Sequence, residues 1–307
     1  MIKQYNNFNI KDVHKKSIIL IGNFDGLHLG HQKLFRLAKR YKKKFSLKIG
    51  VLTFEPMPKM YFNKEIKNFR ISNKKQKIYL LNKLNVDFVI TKKFDKKFSK
   101  LKSIDFINKI LSKKLSARFI FVSNNFRFGN KREGDVKQLI KYEDKFNYKI
   151  IKPKPLLTKK KLVSSTLIRN YLQNGKLNKV NKLLNRNWSI EGKVQRGKQV
   201  GKKIGFPTAN IDIKDYILGC PGVYAIKART IKSSKYLKGI ANLGYRPTFS
   251  GKKILLEVHL FNFSGNLYNK YLTVEFLKFI RKEKKFRNVD QLKKQIKADL
   301  LIAKKIK

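Results

Sequence analysis

Residues 17–31 read SIILIGNFDGLHLGH, and this stretch decides the fold of the N-terminal half. Ile18 to Ile21 form a short, continuous apolar run, the pattern of a parallel strand covered on both faces. Gly22, Gly26 and Gly30 follow, and glycine lets backbone come close to a ligand. From Leu27 onward Leu34, Leu37, Ala38 and Tyr41 recur at helical spacing, so a helix starts near His28. His28 and His31 are three residues apart and share a face of its first turn. Open N–H groups at a helix start attract anions, and two imidazoles add donors for phosphate oxygens. Strand, glycine turn and helix in this order predict a nucleotide phosphate site. A metal site fits less well, because no third ligand stands nearby at a familiar spacing.

The chain has 307 residues, which suggests about two domains, and 42% hydrophobic residues, enough for real cores. No apolar stretch approaches the ~20 residues of a membrane span. The start, MIKQYNNFNIKDVHKK, lacks the apolar segment of a secretory signal. With one cysteine, Cys220, neither an internal disulfide nor a cysteine-rich metal cluster is available. A cytoplasmic protein is expected. Lys and Arg number 74 against 19 Asp and Glu, a formal charge of +55. A basic field attracts nucleic acid. Here, however, lysine outnumbers arginine, Asn, Ile and Phe are also abundant, and the lysines are spread along the chain. That is the composition an AT-rich genome favours, whereas specific binding needs a patch. No specific nucleic-acid partner is expected, and weak self-association is left open.

Working outward, apolar runs at 17–22, 48–54, 86–90, 118–123 and 148–152 alternate with helical patterns near 28–44, 73–84, 101–114 and 135–145. Such alternation predicts an α/β domain with a doubly wound, Rossmann-like sheet. A helical region follows at about 165–185. From Trp188 the pattern becomes all-β, with runs at 188–195, 222–230, 236–243, 254–263 and 272–280. This predicts a small antiparallel β-barrel. Val289, Leu292, Ile296 and Leu300 then mark a terminal α-helix over about 288–305. The expected domains are 1–184 and 185–307, the second large enough for its own core.

Three further segments of the first half carry chemistry. TFEPMP at 53–58 gives a rigid apolar wall from Phe54, Pro56 and Pro58. VSNNFRFGNKREG at 122–134 leaves the fourth strand, at the sheet end where α/β ligands bind. There Asn125 can hydrogen-bond a sugar or phosphate, and Arg127 and Arg132 can pair with phosphates. In SSTLIR at 164–169, Ser164, Ser165 and Thr166 read first as helix caps. With Arg169 on the same face they also make a second phosphate cradle.

H-x-G-H resembles the nucleotidylyltransferase superfamily. The ordered set GNFDGLHLGHQ, TFEPMP, VSNNFRFGNKREG and SSTLIR resembles the FMN adenylyltransferase module of bacterial bifunctional riboflavin kinase/FAD synthetases. EGKVQRGKQVGKKIGFPTANI, PGVYAI, GIANLGYRPTF, LEVHLFNFSGNLY and FIRKEKKF resemble their riboflavin kinase module in the same order, so the likeness covers nearly the whole chain. Ser123 departs from the usual glycine, Lys202 from arginine, and Asn185-Arg186-Asn187-Trp188 from Gly-Arg-x-Tyr.

For the first domain the resemblance implies ATP plus FMN giving FAD plus pyrophosphate, a reaction run by positioning and charge neutralisation. It implies that His28 and His31 serve the ATP phosphates. Gly22, Asn23, Phe24, Asp25 and Gly30 lie against the nucleotide. Asn125, Arg127, Arg132, Ser164, Ser165, Thr166 and Arg169 hold phosphates and pyrophosphate. Phe54, Pro56, Pro58 and Phe62 line the flavin, and Mg2+ bridges phosphates. For the second domain it implies riboflavin plus ATP giving FMN plus ADP. There Gly197, Gly201, Gly205 and Pro207 shape the phosphate loop. Thr208 and Asn210 are implied as Mg2+ and phosphate ligands, Glu257 as the base for the terminal ribityl hydroxyl, and Arg281 and Phe286 as flavin cover. No G-x-x-x-x-G-K-[ST] is present, so this is not a P-loop kinase. His259, two residues after Glu257, is read as structural.

Two other classes are weighed. An RNA-directed nucleotidylyltransferase would need a concentrated basic patch and an RNA module in the second half, where GFPTAN and LEVHLF stand instead. A non-catalytic flavin binder would have lost His28, His31, Thr208, Asn210 or Glu257, and all are present.

Overall fold

The structure, a computed structural model, describes residues 2–197, 201, 204–231, 233–248 and 251–306, and of 246–248 and 251–253 the backbone alone. Two compact bodies emerge, Met1–Lys67 with Lys74–Val163, and Asn68–Asn73 with Ser164–Lys307.

The first body is built on six parallel strands: β1 Lys3–Tyr5, β2 Ile18–Ile21, β3 Ile49–Glu55, β4 Phe88–Lys93, β5 Phe119–Phe121 and β6 Lys149–Ile151, in the order β1-β4-β3-β2-β5-β6. Helices α1 Leu29–Phe45, α2 Lys74–Lys83 and α3 Val136–Lys141 accompany them. Ile18 and Leu20 pack with Ile49, Val51, Phe119 and Phe121 against Leu34, Phe35 and Ala38 of α1 and Leu81 of α2. Ile19 and Ile21 share the other core with Leu52, Ile90 and Ile120, under Phe106, Ile107, Ile110 and Leu111. Both faces of β2 are therefore covered, which is why its sequence has no polar alternation. Gly50 makes a flat seat for the Phe88 ring, where any Cβ would collide. The winding reverses between β2 and β5, whose carboxyl ends open into the loops 22–28 and 122–134. A ligand crevice belongs at such a reversal.

The helix expected over 101–114 is a short turn, Ser103–Asp105, running into a π-helical segment, Phe106–Lys114. The helix expected over 135–145 stops at Lys141, and Tyr148, buried beside it, donates its hydroxyl proton to the Leu139 carbonyl at 2.7 Å. The three-residue strand β1, polar in sequence, pairs at the sheet edge with Phe88–Ile90.

The second body contains α4 Ser165–Gln173, α5 Leu177–Leu184 and six antiparallel strands closed into a barrel. These are β7 Trp188–Gln195, β8 Ala209–Asp212, β9 Gly222–Thr230, β10 Leu237–Thr248, β11 Gly251–Leu260 and β12 Tyr271–Lys282, in the order β7-β8-β11-β10-β9-β12. The terminal helix α6, Val289–Lys304, buries Ala303 against Val223, Ala225 and Ile240, with Ile296 and Leu300 alongside. Contacts place α4 and α5 in this body, although the sequence groups them with the first half. Asn181 of α5 donates to the Phe276 carbonyl of β12 (3.0 Å) and accepts from the Trp188 amide (2.8 Å). Residues 68–73 belong here too: Arg70 bridges Tyr216 as a strand would, and the buried Trp188 indole donates to the Ile71 carbonyl at 3.1 Å.

Candidate active sites

In the first body the turn after β2 holds Phe24 at φ 48°, Gly26 at 75° and Leu27 at 41°. Left-handed backbone at a non-glycine residue costs about 1–3 kcal/mol and gathers at functional sites. Burial of the Phe24 and Leu27 side chains holds the turn in place. It delivers His28 to the N-cap of α1, where Nδ1 accepts from the His31 amide at 3.4 Å. An accepting Nδ1 carries no proton. The two imidazoles stack, with centroids 3.7 Å apart and planes at 19°. Burial, reinforced by His28 and Lys77, holds the His31 pKa well below the usual histidine range. His31 Nδ1 and Asn23 Oδ1 are both sealed from solvent and without a hydrogen-bond partner. Beside them a Cβ on Gly30 would come within 3.1 Å of His28 Nδ1 and of the Val163 carbonyl.

The same body holds a cavity of about 620 Å³ walled by Phe54, Phe62, Phe94, Phe98, Phe106, Phe126 and Phe128, with Pro58 at one side. Lys59, Arg127, Lys131 and Arg132 also line it, so an apolar slot opens beside cations. Its size suits a drug-sized planar ligand. Of the residues expected on phosphates, Arg127 and Arg132 thus border the aromatic cavity, and Arg127 also pairs with Asp135 at 3.2 Å. Asn125 is exposed, and Ser123 donates its hydroxyl proton to Asn125 Oδ1 at 3.0 Å. The serine that departs from the family glycine therefore orients that amide. Pro56 turns the chain ahead of the helix Pro58–Phe62 and is not part of the wall.

In the second body the barrel assembles a row across five strands. Asn210 on β8 faces Glu257 on β11, which faces Asn242 on β10, which faces Val223 on β9, which faces Arg281 on β12. Residues directly opposite in antiparallel strands present side chains to the same face. All five line a cavity of about 580 Å³, with Ile240, Leu292 and Ile296 as its apolar part and Phe286 at its edge. Asn210 Oδ1 is buried without a partner. Gly197 leaves room for the Asn210 amide, which a Cβ would strike, and Gly205 sits at φ 90° before Pro207 and Thr208. A second cavity of about 490 Å³, lined by Pro207, Thr208, Leu260 and Phe263 to Tyr268, meets the first at Thr208. The His259 ring donates from Nδ1 to the Pro207 carbonyl at 2.9 Å and so pins this loop.

Three residues of this cavity escape sequence reasoning. Glu283 receives a hydrogen bond from Asn242, yet burial raises its pKa above the usual carboxylate range, and a Cβ on Gly244 would strike its carboxylate. Asn242 itself is marked only by register. Asp299, 1% exposed, takes three hydrogen bonds from Arg281 at 3.0, 3.0 and 2.7 Å. Its position in the stripe Leu292, Ile296, Asp299, Ala303 is the available signal, a carboxylate on an apolar helix face. Lys202 lies outside the described residues. In the SSTLIR segment, Ser164 caps α4 by accepting from the Leu167 amide at 3.2 Å, while Ser165 and Thr166 occupy the first turn. The Arg169 guanidinium lies 3.7 Å over the Phe69 ring, and its Nε donates to the Phe69 carbonyl at 2.8 Å. That places Arg169 on the segment 68–73.

Comparison with known proteins assigns both bodies. The FAD synthetase family profile matches residues 10–167, and the riboflavin kinase profile matches 184–307. The chain belongs to the bifunctional riboflavin kinase/FMN adenylyltransferase family. Curated proteins of that description match it almost end to end. One from Buchnera aphidicola of Acyrthosiphon pisum is 40% identical over 299 residues, 97% of this chain and 95% of the relative. One from Haemophilus influenzae is 39% identical, covering 96% of each chain. One from Escherichia coli K12 is 35% identical, covering 94% of this chain and 91% of the relative. A crystal structure described as a macrolide-efflux protein from Streptococcus pneumoniae superposes with a TM-score of 0.86 at 28% identity over 99% of both chains. Among the described residues of the present chain no helix is long and apolar enough to cross a membrane. The doubly wound sheet and the barrel expected from sequence are both present, while the SSTLIR motif of the first module lies in the barrel body.

Proposed function

We propose that the two bodies run consecutive steps of FAD synthesis: the barrel phosphorylates riboflavin with ATP to FMN, and the sheet body joins FMN to the adenylyl group of ATP, releasing pyrophosphate. The observation that carries the reading is the row Asn210–Glu257–Asn242, which sets one carboxylate between two amides in the wall of a largely apolar cavity.

In the kinase step the flat ring of riboflavin packs on Val223, Ile240, Leu292 and Ile296, covered by Arg281 and Phe286. Glu257 takes the proton of the terminal ribityl hydroxyl as that oxygen attacks the γ-phosphorus. ATP occupies the adjoining cavity, so the two substrates meet at Thr208. Thr208 and Asn210 fit Mg2+, since both offer hard oxygens and Asn210 Oδ1 is an orphaned buried acceptor. When bound, the ion neutralises phosphate charge.

In the second step no covalent enzyme intermediate is required. His28, His31, Gly30 and Asn125 receive the ATP phosphates. The aromatic cavity takes the isoalloxazine of FMN, and Arg127 and Arg132 border it to meet anionic oxygen. The FMN phosphate attacks the α-phosphorus, and the imidazoles steady the charge that develops. The lysine excess serves no specific nucleic-acid function in this reading.

Single substitutions separate the steps. Glu257→Gln is expected to stop FMN formation while FAD is still made from supplied FMN. His31→Asn is expected to do the reverse. Loss of both activities in either folded variant, seen by chromatography of the flavins, would contradict the assignment.

A further inference from the structure

Lys77, on the first turn of α2, is only 4% exposed, a rare setting for lysine. Its ammonium donates to the Asn23 carbonyl at 3.3 Å and to Thr53 Oγ1 at 3.2 Å. Asn23 lies in the Gly22–Asp25 turn and carries the orphaned Oδ1. Thr53, fully buried, precedes Phe54 of the aromatic cavity at the end of β3. One buried cation thus joins the two segments that frame the candidate nucleotide and flavin positions. Taking an ammonium out of water is costly, and a methionine of the same length would fill the space without that cost. Packing alone therefore does not account for the charge.

We propose that Lys77 is a positioning residue of the nucleotidyl-transfer site, tying the Gly22–Asp25 turn to the end of β3 and supplying a fixed positive charge to the site. This rests on the adenylyl-transfer reading above. Burial does most to keep His31 neutral, and the charges of His28 and Lys77 add to it. An incoming triphosphate then meets a neutral His31 and a cation already in place, so little reorganisation accompanies charge development.

The test is Lys77→Met in the full-length chain, assayed for FAD formation from FMN and ATP with magnesium. If the unmodified chain makes no FAD, the adenylyl-transfer reading itself fails. If it does, Lys77→Met is expected to lower kcat about 100-fold, the scale of one preorganised electrostatic group. KM for FMN and riboflavin phosphorylation should stay within about twofold of the parent, and the His31 imidazole resonance should titrate nearer the ordinary histidine range. A kcat loss under about tenfold, or an unmoved His31 titration in the folded variant, overturns the proposal. Should Lys77→Met fail to fold, Thr53→Val removes one acceptor and keeps the ammonium. It is expected to lower kcat several-fold at unchanged KM for FMN, and parental kcat in that variant overturns the proposal.

Discussion

Ile71 lies in the first half of the sequence, yet its substitution should damage riboflavin phosphorylation before FAD formation. The segment 68–73 belongs by its contacts to the barrel body. Ile71 is completely buried, its carbonyl accepts the Trp188 indole proton at 3.1 Å, and Arg70 beside it bonds Asp215 and Ile217 through the backbone (3.2 and 2.8 Å). Ile71→Ala keeps these backbone bonds and removes three carbons from a closed site. Such truncations cost about 2–5 kcal/mol, and about 3 is taken here. For a body of about 150 residues, 1 kcal/mol moves Tm by about 2–4 °C, so about 9 °C is expected. The assay heats the full-length variant in steps, cools it, and measures both activities. Kinase activity should fall at a midpoint about 9 °C below the parent's, with the midpoint for FAD formation from supplied FMN shifted far less. An unmoved kinase midpoint, or FAD formation lost first, would refute the placement of this segment.

Asp299→Asn breaks the buried pair with Arg281 and should destabilise the barrel body by about 3 kcal/mol. An unfolding free energy from denaturant titration within about 0.5 kcal/mol of the parent's would show that the pair holds nothing. His31 gives a pH dependence. Because its folded pKa lies below 6.5, the unfolded chain binds a proton that the folded body refuses. Its contribution to stability is therefore complete above about pH 6.5 and is lost as the pH falls through the folded value. His31→Asn should flatten that acid limb of the melting curve of the sheet body, and an identical limb would contradict the assignment. Ser123→Gly should leave FAD formation within a few-fold, since it frees the Asn125 amide without removing it. A loss above about 100-fold would mean that the hydroxyl itself contacts substrate.

The strand Ile18–Ile21 and the turn after it were legible because a strand buried on both faces must be apolar throughout, and a glycine turn before a helix has few other uses. The barrel was legible from its long strands. Ala209–Asp212 was not, being four residues directly behind the Gly205-Phe206-Pro207-Thr208 turn. The π-helical segment Phe106–Lys114 has the apolar spacing of an ordinary helix, so only its hydrogen bonds distinguish it. Among site residues, the histidines and Glu257 sit in compact motifs. Phe94, Phe98, Phe106, Phe126 and Phe128 come from separate segments and become one wall only through the fold. Lys77 is one of 74 basic residues, and burial alone sets it apart. Asn242 and Glu283 depend on cross-strand register and a side-chain hydrogen bond, which no local pattern encodes. Phe69, Arg70 and Ile71 look like a loop of the first domain because their partners lie about 100 or more positions later.

The central claim, two phosphate-transfer steps on one flavin by one chain, is tested most directly with riboflavin, magnesium and ATP labelled at either end. With γ-labelled ATP the label should enter FMN first and then FAD. With α-labelled ATP it should enter FAD alone, since only the adenylyl group carries that phosphorus. Label from α-ATP in FMN, FAD without γ-label, or no labelled flavin from the folded chain would contradict the account.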